Sequence, residues 1–296
     1  MTPALPQPLR NTRVLSLALN LPGPAALMRC ARMGAECTKL EPLPAPGYPS
    51  ADPMGIYSPA AYATLHTGVR VVHAHLKTAE GQATLHDELA RTDVLITSFR
   101  PSALNKLGLG WEALQSKYPR LSLVRIVGAA AERAEEPGHD LTYLADAGLV
   151  TGTEMPPTLY ADMGGALMAS EAVLQALLDR AHTGAGACIE VALADAAAWL
   201  AQPRDWGLTT PDGDVGGNHA GYRIYPCADG RVAVAALEPH FAASLCAAAG
   251  LPPTGDADVL RAPATHEAIA RFLRSQKREQ LDALATAHDI PLHTLA

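Results

Sequence analysis

The sequence predicts an α/β protein in which an alternating, doubly wound domain over residues 1–202 precedes a smaller α+β domain over residues 203–296. Three observations carry that expectation. Strand, helix and strand patterns follow one another from Arg13 to Glu41, about the 30 residues of one βαβ unit, which favours a parallel sheet. Apolar strand runs then keep alternating with helical stretches as far as Val127. Beyond Pro203 to Gly217, a boundary segment rich in Gly, Asp and Pro, the pattern changes to a hairpin followed by helices.

Taken in order, Arg13 to Leu19 (RVLSLAL) is the first strand, and a helix follows Pro22-Gly23-Pro24 and ends near Gly34. Glu36 to Glu41 (ECTKLE) is the second strand. The intervening Leu21-Pro22-Gly23-Pro24 is not G-x-G-x-x-G, so it lacks the fingerprint of a nicotinamide or flavin site. Pro42 to Ala61, rich in Pro, Gly, Ser and Tyr, reads as a long surface loop of the kind that is often functional or mobile. Val71 to Leu76 is expected as a strand, Thr78 to Arg91 as a helix and Asp93 to Phe99 (DVLITSF) as a strand. Helical pieces at Ala103 to Leu107 and Trp111 to Tyr118 lead to the strand Leu121 to Val127. A short helix over Leu141 to Ala147 precedes a long one over Asp162 to His182, where Leu167, Val173, Leu174, Leu177 and Leu178 form an apolar stripe and Gly184 stops it. Ile189 to Leu193 is a further strand candidate, leading into an Ala-rich helix through Trp199. In the second domain Gly221 to Tyr225 and Arg231 to Leu237 flank Ala228-Asp229-Gly230, a hairpin signal. Helices are expected at His240 to Ala249, Thr265 to Ser275 and Lys277 to His288.

Composition narrows the function classes. The 23 basic and 30 acidic residues leave a formal charge of −7, which disfavours nucleic acid and anionic membrane as partners while leaving room for a local basic pocket. The start of the chain does not read as a signal peptide, and no stretch approaches the roughly 20 apolar residues of a membrane span, so a cytoplasmic protein is expected. Five scattered cysteines without a C-x-x-C pair argue for reduced, structural thiols. His73-x-His75 would put two imidazoles on one strand face, but no third ligand is near in sequence, so no metal is expected.

The chemistry-bearing stretch is Gly138-His139-Asp140 together with Asp162-Met163-Gly164-Gly165. An imidazole and a carboxylate on either side of a Pro- and Gly-punctuated connection suit proton transfer, since imidazole titrates near 6.5. Asp162 needs its pKa raised by burial against the lowering effect of the helix that follows. By spacing alone, Asp162 reads more readily as a helix N-cap and His139 as a capping or surface residue, and Glu238 before Pro239 reads also as a residue closing a first helical turn.

Several stretches together resemble the family III CoA transferases and their relatives, the α-methylacyl-CoA racemases. They are Val14 to Pro42 with Gly34-Ala35-Glu36 and Lys39-Leu40-Glu41-Pro42, Leu65-His66-Thr67-Gly68-Val69-Arg70, Leu76-Lys77-Thr78-Ala79-Glu80-Gly81, Phe99-Arg100-Pro101, Arg180-Ala181-His182-Thr183-Gly184 and Cys227-Ala228-Asp229-Gly230-Arg231. The resemblance implies an interlocked homodimer, with a Rossmann-like domain and a small domain in each chain and a CoA thioester as substrate. It also implies roles. His139 and Asp162 would remove and return a proton next to the thioester carbonyl, with Glu238 of Leu237-Glu238-Pro239-His240-Phe241 holding the imidazole, as in the racemase branch. Amides of Met163-Gly164-Gly165 would receive the enolate oxygen. In the transferase branch the Asp162 carboxylate would instead carry covalent intermediates. For the CoA moiety the resemblance points to Arg100 and its neighbour Phe99, then to Arg70 and Lys77. A third alternative, a shortened non-catalytic acyl-CoA-binding relative, is motivated by Pro42 and Val69 at positions where relatives carry basic residues and by the early end of the chain.

Overall fold

The structure, a computed structural model, describes residues 6–296. The chain divides into two compact units, one ending at Ala201 and one spanning Gln202–Ala296.

The first unit is built on six parallel strands: β1 (Arg13–Ser16), β2 (Glu36–Glu41), β3 (Arg70–His73), β4 (Val94–Thr97), β5 (Ser122–Val127) and β6 (Cys188–Ala192), in the order β3-β2-β1-β4-β5-β6. Between them run helices α1 (Pro22–Arg32), α2 (Pro53–Tyr57), α3 (Pro59–Leu65), α4 (Ala79–Leu89), α5 (Pro101–Lys106), α6 (Trp111–Lys117), α7 (Asp140–Asp146) and α8 (Tyr160–Thr183), and α9 (Leu193–Asp205) follows β6. Side chains alternate across each strand, so every central strand feeds two cores. Val14, Val94, Ile96, Val124 and Ile126 face one layer with Leu27 of α1 and Ala169, Ala172 and Val173 of α8. Leu15, Leu95 and Leu123 face the other with Leu85, Leu89, Leu104 and Leu114 of α4, α5 and α6. Covering both faces is the condition under which a parallel sheet is stable.

The strand order reverses between β1 and β4, and the carboxyl ends of strands beside such a reversal open into a crevice. Position in the sheet therefore marks one place for a ligand before any side chain is considered.

In the second unit an antiparallel sheet, β7 (Tyr222–Cys227), β8 (Gly230–Ala235) and β9 (Leu292–Leu295), accompanies α10 (Pro239–Ala248), α11 (Ala257–Arg261), α12 (Pro263–Ser275) and α13 (Arg278–His288). Its core joins Val232 and Val234 to Leu245, Leu273, Leu281 and Ile290.

Three sequence expectations are corrected. The Pro42 to Ala61 stretch is not a continuous loop: Pro53 and Pro59 each open a short helix at its first position, where proline is favoured, and Asp52 caps the first by accepting the Met54 N–H at 2.9 Å. His73 and His75 do not share a strand face, because β3 ends at His73, whose Nε2 sits 3.2 Å from Glu41, while His75 accepts the Lys77 N–H. β9 follows His288, where no element is expected from the sequence; at four residues its pattern is too short to register, and it exists because β8 offers a free edge.

Candidate active site

Four sequence-predicted residues meet at the reversal point. A cavity of about 200 Å³ is lined by Leu19 and Asn20 after β1, Ser98, Phe99 and Arg100 after β4, Gly128 after β5, and Gly138, His139, Tyr143 and Asp162. All of these lie at the carboxyl ends of the strands or on the segments that follow them.

α8 begins at Tyr160, two residues earlier than its apolar stripe suggests, so Asp162 is the third residue of the helix and not its N-cap. Leu159 holds the capping position without a side-chain bond. The missing acceptor comes from another helix: buried Asp140 of α7 takes the Asp162 N–H at 2.9 Å. This fixes the first turn of α8 and sets one carboxylate beside another.

That juxtaposition determines the acidity of Asp162. Burial, then the neighbouring Asp140 charge, push its carboxyl up to about 6, against a smaller opposing pull from His139. A carboxyl near 6 can exchange a proton close to neutral pH. No donor hydrogen-bonds its carboxylate oxygens among the described residues.

His139 caps α7 through its main chain, and the Thr142 hydroxyl returns a bond to the His139 carbonyl at 2.7 Å. The capping and functional readings are therefore compatible. The backbone does the capping, and the exposed imidazole lines the cavity.

Phe99 packs against the Leu15, Leu95 and Leu123 layer while lining the cavity, and Arg100 is exposed at its wall at the N-cap of α5. Lys77 stands exposed just beyond the carboxyl end of the edge strand β3. Arg70 is not brought together with these residues. It opens β3, hence lies at the amino ends of the strands, where Glu88 holds it at 2.5 Å and Thr38 at 3.1 Å in a separate depression with Arg13 and Arg91. A residue at the start of a parallel strand cannot reach a site at the ends of its neighbours. Glu238 belongs to the second unit, where it is exposed at the N-cap of α10 and makes no side-chain cap.

The Met163-Gly164-Gly165 amides are not the oxyanion donors expected from the sequence. Because α8 starts early, the Met163 N–H is spent on Leu159 O at 3.0 Å, and the two glycines lie deeper in the helix.

Sequence reasoning gave no role to Asp140, although it sits inside the quoted Gly138-His139-Asp140 motif, nor to Tyr143. Tyr143 lies four residues after His139, one turn along α7. That spacing was the available signal. Among the described residues no group of three or more His, Cys, Asp or Glu is arranged to hold a metal ion, and no helix is long and apolar enough to cross a membrane.

The doubly wound sheet with its carboxylate-bearing crevice defines an α/β protein with a candidate ligand site at the strand-order reversal. The sequence profile of CoA-transferase family III matches residues 9–296, and the chain belongs to that family. It is 32% identical over 261 residues to alpha-methylacyl-CoA racemase of Mus musculus, and 31% identical over 261 residues to that of Homo sapiens. Each match takes in 82% of this chain but 65% of the racemase, so the chain spans under two thirds of those relatives' length. It is also 29% identical over 229 residues to cinnamoyl-CoA:phenyllactate CoA-transferase of Clostridium sporogenes, covering 68% of this chain and 54% of that one. Among solved structures, a CAIB/BAIF family protein from Brucella suis superposes with a TM-score of 0.79 at 25% identity, covering 99% of this chain and 85% of that chain.

Proposed function

We propose that this chain is a CoA-thioester enzyme that removes and returns the α proton of a 2-methylacyl-CoA. The observation that carries the reading is a single cavity holding an imidazole and a carboxyl whose acidity burial has moved to about 6. In the forward step one of the two, His139 neutral or Asp162 ionised, takes the α hydrogen as a proton. The C–H electron pair moves into the α carbon–carbonyl bond and the carbonyl pair onto oxygen, giving an enolate. The other group, in its protonated form, returns a proton to the opposite face. The two groups then hold exchanged protonation states, so the enzyme serves both epimers. Arg100 and Phe99 lie where a CoA moiety can pass, with Lys77 as a further cation toward the sheet edge. Glu238 keeps the supporting role that the family resemblance implies, and a changed pH profile of exchange in Glu238→Gln tests it.

Deuterium incorporation at the α position of a 2-methylacyl-CoA in D₂O, abolished in His139→Ala and Asp162→Ala, is the expected result; its absence in the wild-type protein at every pH removes this reading. The second reading is CoA transfer, in which an Asp162 oxygen attacks the thioester carbonyl and the C–S bond breaks to give an acyl–Asp162 anhydride and CoA thiolate. The thiolate attacks the Asp162 carbonyl, releasing the first acid as carboxylate and leaving CoA on Asp162 as a thioester. An incoming carboxylate then attacks that thioester, forming a second anhydride whose acyl carbon the released thiolate takes, which frees Asp162. It is supported by the absence of donors on the Asp162 carboxylate among the described residues, and by the named transferase among the relatives. Hydroxylamine-sensitive labelling at Asp162 that survives His139→Ala is its signature.

We also propose a cytoplasmic homodimer. The apolar side chains Leu167 and Leu178 of α8 and Trp199 of α9 are between half and two thirds exposed in the single chain, a surface suited to a second copy. Light scattering of the full chain tests it.

A further inference from the structure

Charge that develops on a thioester oxygen, in an enolate or in a tetrahedral adduct, needs a preorganised donor, and in the first turn of α8 the amides of Asp162 and of the residue after it are already engaged. The Asp162 N–H goes to Asp140 and the Met163 N–H to Leu159. We infer that the Tyr143 hydroxyl is this donor, a catalytic residue that contacts the carbonyl oxygen of a bound CoA thioester. The inference rests on the thioester reading above and adds a residue to it.

The geometry of α7 carries the argument. The Tyr143 phenol lies against two glycines from different segments, Gly128 after β5 and Gly138 before His139, and a Cβ at either position would overlap the phenol. A glycine at both places is what lets the ring pass between the strand end and the catalytic loop. The ring is also part of the packed layers, touching the clusters around Val124 and Leu144. The ring therefore has a defined position, and Tyr143 lines the same cavity as His139 and Asp162. Among the described residues no side-chain hydrogen bond engages the Tyr143 hydroxyl, which leaves its proton for a ligand.

Other polar side chains on the same wall are tied to neighbouring segments. Ser98 Oγ accepts the Leu19 N–H at 3.3 Å, and Asn20 Oδ1 accepts from the Tyr57 hydroxyl at 2.9 Å while the Asn20 main-chain N–H goes to Asp52 at 3.0 Å. Arg100 is exposed and carries its charge on a flexible stem. Burial and then the nearby Asp162 charge hold the Tyr143 phenol above its ordinary pKa, with a smaller opposing effect from Arg100. It consequently stays an O–H through the working range. Tyr143 donates a hydrogen bond and keeps its proton, so the proton balance between His139 and Asp162 is unchanged.

The test compares wild type with Tyr143→Phe, which keeps the ring between the glycines and removes one oxygen. Two quantities are measured: deuterium exchange into a 2-methylacyl-CoA, and the affinity for N-methyl-N-propylcarbamoyl-CoA, whose planar nitrogen replaces the α carbon and pushes charge onto the carbonyl oxygen. Expected are exchange slower by about 10²–10³-fold in kcat, carbamoyl-CoA binding weaker by roughly 10- to 100-fold, unchanged binding of free CoA, and an unchanged melting curve. Equal exchange and equal carbamoyl-CoA affinity in the two proteins would overturn the role of Tyr143 while leaving the thioester chemistry standing. Wild type that binds carbamoyl-CoA through Tyr143 but neither exchanges nor transfers would overturn the chemistry and keep the donor. Absence of carbamoyl-CoA binding in wild type would overturn both.

Discussion

Two carboxylate clusters stand at the carboxyl ends of neighbouring strands, and they are built in opposite ways. At the end of β2, buried Lys39 is paired with both Glu41, at 3.2 Å, and Asp52. Asp52 also accepts the Asn20 and Met54 N–H groups, and Glu41 accepts from Ser50 and Tyr62. Every charge there is answered, as burial requires. At the β1–β4 crevice, Asp162 is half-buried beside a second carboxylate, Asp140, which spends an oxygen on the α8 backbone instead of relieving its neighbour. The first cluster ties the segment after β2 to α2, α3 and the Asn20 turn. The second leaves one acid unanswered, at the place where a ligand can reach it.

The contrast can be broken in order of expected effect. Lys39→Met leaves two buried carboxylates facing each other and should cost about 3–5 kcal/mol, read from urea unfolding midpoints at unchanged m-value. Asp162→Asn should do the reverse. A carboxyl whose folded pKa is raised contributes stability that is full below its unfolded value and lost as pH rises through about 6. Removing the charge should therefore stabilise the protein by on the order of 1–3 kcal/mol at pH 8 and have little effect at pH 4, seen as a difference between melting curves at the two values. If Asp162→Asn destabilises at pH 8, the unanswered-acid account is wrong. Tyr62→Phe removes one of several donors to Glu41 and should cost about 1 kcal/mol, measured in the same unfolding series. Smallest in energy is Asp140→Asn, which retains an oxygen for the Asp162 N–H but deletes the charge. The limb of the pH–rate profile that reports Asp162 should move to lower pH, by a fraction of the total shift because burial is the larger cause. An unmoved limb would assign the whole effect to desolvation.

The strand runs and the βαβ alternation were legible because buried strands and amphipathic helices write their periods into the sequence. Val14, Leu15, Val94, Leu95 and Ile96 announce a sheet wherever they are folded. The site was legible in part. His139, Asp162, Phe99 and Arg100 come together, and they were found through the family resemblance, since spacing alone favoured capping for His139 and Asp162. Arg70 lies apart from them, because sequence distance says nothing about which end of a parallel strand a residue occupies. The Met163-Gly164-Gly165 amides misled for a related reason: where a helix starts depends on what satisfies its first N–H groups, and here the acceptor is Asp140, 22 residues earlier.

By itself, then, the sequence determined the class of fold, the strand and helix order and the types of side chain available for chemistry, because these follow from local periodicity and composition. Only the tertiary structure decided which carboxylate would be answered and which would not, and which aromatic side chain would line the crevice. Those outcomes depend on desolvation and on partners brought from distant segments: Asp140 to Asp162, Asp52 to Lys39, Gly128 and Gly138 to Tyr143. Charge and hydrogen bonding act through space over a few ångströms, and no one-dimensional pattern encodes that neighbourhood.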